Sequence, residues 1–121
     1  MSAKENNTND KEVLYKIVKH CDEILGDAHY VGSIEALAQD NRTFRATTQS
    51  IAQIGELSKR LSDSTIAKTN HLDWKGIRGI REMIVHDYAK MNINIIWQVM
   101  TVHVLELKQA CQTVLDTFIT K

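Results

Sequence analysis

Four residues in the stretch GIREMIVHDY, positions 79 to 88, have side chains that could do chemistry: Arg81, Glu82, His86 and Tyr88. A histidine titrates where it can take or give a proton near neutrality. An arginine keeps its charge and presents a planar fork that fits an oxyanion such as phosphate. A tyrosine hydroxyl can hold the same group, and a carboxylate can orient an imidazole. The alternative is structural, since Ile80, Ile84 and Val85 surround these groups and mark the segment as one that buries a face.

Helical spacing decides which of them can meet. Arg81 and Tyr88 are two turns apart and share a stripe. Glu82 and His86 are one turn apart and can touch, either to orient the imidazole or as a surface ion pair of little consequence. Arg81 and His86 are five positions apart, roughly 140° around a straight helix. For those two to converge, the helix must loosen near His86, or two copies of the chain must face each other across a shared cleft. Lys75 and Arg78 precede Arg81 at three-residue steps and could form an RNA-binding ridge or simply a solvated face. Basic residues Lys59, Arg60, Lys68, Lys75, Arg78 and Arg81 outnumber Asp63 and Asp73 in that part of the chain.

The elements that must position these groups read as helices. Proline is absent from the 121 residues and glycine occurs five times, so helix breakers are nearly missing. Val13, Leu14, Ile17, Val18, Cys21, Ile24 and Leu25 lay one apolar stripe on a first helix, with Asn9 and Glu12 as a capping box and Gly26 as its stop. A short piece, IEALAQ, precedes a second helix with Phe44, Ile51, Ile54, Leu57 and Leu61 inward, in which Gly55 can let a neighbour approach closely. SDSTIAKTNHLD reads as a polar connection. Asp73 caps a third helix with Ile77, Ile80, Ile84 and Val85 inside, and Asn92 caps a fourth through Ile96, Val99, His103, Ala110, Val114 and Phe118. The expected fold is all-α, an antiparallel four-helix bundle with an extra short helix. A flexible tail is expected over residues 1–8 and a single helical domain over 9–121.

Composition narrows the classes of function. The formal net charge is zero, so a nucleic-acid partner must be met by a local patch. Cys21 and Cys111 lack metal or disulfide spacing and read as small core residues. His20, His29 and His71 show no metal-ligand spacing, and His103 reads as a core histidine. Trp74 and Trp97 read as packing anchors. No metal, cofactor or membrane span is expected, and the location expected is cytoplasmic.

The stretch IGELSKRLS from Ile54, then Trp74-x-x-Ile77-x-Gly79-x-Arg81-x4-His86-x-Tyr88 and MNINIIW, resembles the HepT family of ribonuclease toxins in the HEPN superfamily. The resemblance spans most of the chain. It implies a metal-independent endoribonuclease acting as a homodimer, with Arg81 and His86 of both copies lining one cleft. It also implies a partner, a minimal nucleotidyltransferase antitoxin that silences the toxin by adding nucleotide to Tyr88. One position departs from the family pattern: asparagine usually follows the arginine, and here Glu82 puts negative charge beside the expected phosphate. The alternative reading is a non-catalytic accessory subunit that presents substrate to a nucleotidyltransferase.

Overall fold

The computed structural model describes residues 7–119, so the expected tail lies outside the described residues as far as residue 6. The fold is an all-α bundle. Its segments are α1 (Asn7–Val31), α2 (Ile34–Ala38), α3 (Asn41–Ser58), α4 (Asp63–Lys68), α5 (Trp74–Asp87), α6 (Ile93–Gln98) and α7 (Val104–Ile119). A 3-10 turn, Tyr88–Lys90, follows α5, and a π turn, Val99–His103, joins α6 to α7 as one long helix. α1 packs on α3 and α7, and α3 packs on α5. Between α5 and α7 runs a groove of about 420 Å³ lined by Ile77, Ile80, Val104 and Leu107.

Local chemistry starts the helices where polar side chains can satisfy free backbone N–H groups. Asp40 accepts from the Thr43 amide at 3.0 Å, Asp73 from Gly76 at 2.9 Å and Asn92 from Asn94 at 2.8 Å. The caps expected at Asp73 and Asn92 are therefore present. α1 does not stop at Gly26. It runs to Val31 and ends where Gly32 adopts φ +79° and donates its N–H to the Ala28 carbonyl at 2.9 Å. Asn9 lies within α1 rather than at its start. The extra length keeps Ala28 and Val31 packed against the core, which outweighs the helix cost of one glycine.

Two further expectations change. SDSTIAKTNHLD is not an open connection, because α4 forms inside it and is tied to α1 by a buried polar cluster. Asp10, 1% exposed, accepts from the Ser62 amide at 2.9 Å, from the Ser62 hydroxyl, and from the Thr65 hydroxyl at 2.6 Å. Thr69 then accepts from the Trp74 indole N–H at 2.9 Å, which fixes the first residue of α5. His103 is not a core residue either. The π turn inserts extra backbone, so Met100 and Val104 continue the buried stripe while His103 turns outward toward Glu106, 3.7 Å away.

The core is formed by Leu14, Ile17, Ile24, Leu37, Ile96 and Met100, all fully buried, with Cys21 and Cys111 among them. Burial pushes both thiols up, Cys111 to about 12, so neither is a reactive nucleophile. No helix among the described residues is long and apolar enough to cross a membrane.

The Asp10 cluster predicts a large stability effect. Asp10→Ala removes the acceptor for three buried donors, at a cost of about 3 kcal/mol. Urea denaturation should show that loss as a lower midpoint with an unchanged slope, and an unaltered midpoint would mean that the cluster does not hold α4 to α1.

Candidate active site

The candidate site is built where α3 passes α5. Gly55 makes the passage possible: a Cβ at that position would lie 2.6 Å from the Arg81 Cβ and 3.0 Å from its Cγ. The base of the Arg81 side chain therefore occupies the space that any other residue at position 55 would fill. Arg81 is pinned at its stem by backbone packing, and its guanidinium emerges with 23% side-chain exposure.

Two carboxylates meet that guanidinium from different helices. The Arg81 Nη2 lies 3.0 Å from Glu56 Oε1 on α3, and Nη1 donates to Glu82 Oε2 at 2.7 Å. Lys59 Nζ stands 3.6 Å from Glu56 and 3.9 Å from Glu82, which closes the charge cluster. The other oxygen of Glu82 faces His86, with Nε2 to Oε1 at 3.1 Å. Glu82 thus bridges Arg81 to His86, one oxygen to each. The Arg81 hydrogen bond, helped by the charges of Arg81, Lys59 and His86, holds the Glu82 carboxyl below the usual carboxylate range.

On the other side of Arg81 a groove of about 490 Å³ runs between α3 and α5, with Arg81, Tyr88, Arg45 and Gln49 in its walls. Tyr88, 37% exposed, is the first residue of the 3-10 turn. Its ring is steadied by Phe44 of α3, with centroids 6.0 Å apart and planes tilted by 59°.

Comparison with known proteins identifies the family of the chain. Residues 17–114 match the family described as Ribonuclease HepT-like. The chain belongs to the HepT-like ribonuclease family. It is 29% identical over 86 residues to a Methanocaldococcus jannaschii protein named "Putative RNase", covering 71% of this chain and 70% of that protein. A second protein with that description, from Caldanaerobacter subterraneus subsp. tengcongensis, is 28% identical over 103 residues, 85% of this chain and 91% of its own. No solved structure matches the chain. Family membership assigns it to the ribonucleases.

In this HepT-like chain Arg81 and Tyr88 share a groove, as their two-turn spacing requires. His86 stands outside it, with 72% of its side chain exposed. α5 stays helical through Asp87, so the backbone loosens after His86 and does not swing it toward Arg81. Val85, expected inside, is 53% exposed, because it faces the open groove between α3 and α5, while Trp74 and Ile84 are buried and Ile77 and Ile80 pack against the core. Lys75 is exposed. Arg78 instead donates from Nε to the Ser58 hydroxyl and from Nη2 to the Ser58 carbonyl, both at 3.1 Å, so it ties α5 to the end of α3.

Sequence reasoning gave Glu56 no role and counted Lys59 only as one basic residue of a window. Both lie in IGELSKRLS, one turn apart, but nothing in their spacing shows that α3 delivers them to Arg81. Gly55 was the available signal, a glycine inside an otherwise regular helix.

Two outcomes follow for the HepT-like site. Gly55→Ala gains helix propensity yet collides with the Arg81 stem, for a net loss of about 1 kcal/mol in thermal denaturation. Glu82 should titrate below an ordinary glutamate by carboxyl-carbon NMR, and Arg81→Ala should return it toward the usual value. Its folded-state value is depressed, so the stabilisation is present above the ordinary glutamate range and lost as pH falls through the lower value.

Proposed function

We propose that the chain is the endoribonuclease toxin of a toxin–antitoxin pair, cutting RNA without a metal by attack of a ribose 2′-OH on the adjacent phosphate. The observation that carries the reading is the Glu82 bridge, which joins a pinned guanidinium to an exposed imidazole on a single helix. Arg81 serves the developing charge on the phosphate. His86 takes the 2′-OH proton as the 2′-oxygen bonds to phosphorus. The bond to the 5′-oxygen breaks, leaving a 2′,3′-cyclic phosphate, and the leaving oxygen gains a proton.

Within one chain Arg81 and His86 meet only through the Glu82 carboxylate, and His86 stands outside the groove that Arg81 lines. A homodimer resolves this by placing the two copies of the motif around one phosphodiester, so that one His86 removes a proton and the other supplies one. Lys75 and the free N–H groups of Arg78 add positive charge along the approach.

Glu56 and Glu82 hold the Arg81 guanidinium where phosphate oxygens must bind, so substrate has to displace at least one carboxylate. Tyr88, exposed in the same groove as Arg81, is the site of silencing. A nucleotide attached there by a nucleotidyltransferase antitoxin fills the groove with bulk and negative charge.

Arg81→Ala and His86→Ala should each reduce cleavage of RNA in EDTA by at least about a hundredfold with helical content unchanged. Full activity in either variant would remove that residue from the chemistry. Glu82→Asn should raise activity, because the carboxylate competes with phosphate for Arg81, and an unchanged or lower rate would show that it does not. Co-expression with the antitoxin should add the mass of nucleotide at Tyr88, and inhibition with an unmodified tyrosine would rule out silencing by modification.

A further inference from the structure

α3 carries an exposed polar row that the proposed cleavage chemistry does not use. Arg45, Gln49 and Gln53 recur at four-residue steps and line the groove that ends at Arg81 and Tyr88. Their side chains make no hydrogen bond or ion pair among the described residues, unlike Arg78, Arg81 and Lys59. Arg45 lies ten residues before Gly55, so about 15 Å of helix separates it from the point where Arg81 crosses.

We infer that this row is the track for single-stranded RNA on one side of the scissile phosphate. Its chemistry is that of nucleic-acid recognition. A guanidinium stands at each end for backbone phosphate, two carboxamides between them offer both donors and acceptors to base edges, and an exposed tyrosine ring offers a stacking surface. The one carboxylate of the groove wall, Glu56, is already matched by Arg81 and Lys59. The groove wall offers a single well-exposed aliphatic side chain, Val85, which suits a polar ligand better than the apolar core of a protein interface. The track rests on the ribonuclease reading for its position relative to the cut, but its binding can be measured without cleavage.

The probe is a short, mixed-sequence, fully 2′-O-methylated single-stranded RNA, which cannot attack its own phosphates. Fluorescence anisotropy should show Arg45→Ala weakening its binding by about fivefold or more, with the slope of log affinity against log salt reduced by about one. Gln49→Glu, an exposed change that puts a like charge in the phosphate path, should weaken binding further. Lys16→Ala, exposed on α1 outside the groove, is the control. On cleavable RNA the Arg45 and Gln49 variants should raise KM with little change in kcat, because neither touches the reacting phosphate. Wild-type affinity in both variants overturns the track. Cleavage by the wild type together with undiminished variants would sink the track and leave the nuclease reading standing. Sensitive binding without any cleavage would do the reverse. Unchanged RNA binding with loss of a co-purifying protein would assign the face to that partner and overturn the inference.

Discussion

Where α3 crosses α5, a missing side chain sets the distance between two helices. Gly55 leaves room for the Cβ and Cγ of Arg81, so the stem of a charged side chain packs against bare backbone. That contact fixes where the guanidinium can go. It emerges between Glu56 and Glu82, with the groove of Tyr88 on one side and His86 on the other. A long flexible side chain is thereby given one position, which lowers the entropy it would lose in holding any ligand.

α5 is held along its length by α3, and a chain of hydrogen bonds fixes where it starts. The indole of Trp74 is bonded to Thr69, whose hydroxyl in turn donates to the Thr65 carbonyl, and Thr65 is anchored through Asp10 to α1. Arg78 clips the middle of α5 to the end of α3. Beyond Ile84 the helix has little core to cover, and its last turn opens into the 3-10 turn that carries Tyr88 against Phe44. The residues assigned to chemistry lie toward that less buried end, where side chains can reach a partner.

The electrostatics are local. A chain with no formal net charge holds two carboxylates and two cations, Glu56, Glu82, Lys59 and Arg81, in one connected cluster. The cluster satisfies its own members, so the Arg81 guanidinium is matched by carboxylates rather than standing as an open positive hole. Toward the start of α3, Arg45 lines the same groove with no carboxylate paired to it among the described residues.

What was legible in the sequence was what happens within one helix. The all-α class follows from the near-absence of helix breakers and the caps at Asp73 and Asn92 from residue type, while the shared stripe of Arg81 and Tyr88 and the contact of Glu82 with His86 follow from spacing, because neighbours one or two turns apart are fixed by helix geometry alone. The tertiary structure decided the relations between segments distant in the chain. It carried α1 past Gly26 to keep Ala28 and Val31 packed, made α4 where Ser62 and Thr65 could serve Asp10, and turned His103 outward through a π turn that keeps Met100 and Val104 in the core. It also brought Glu56 to Arg81 and Ser58 to Arg78. These outcomes depend on burial and hydrogen bonding summed over several helices, which outweigh the smaller preferences of any single residue for helix, turn or interior.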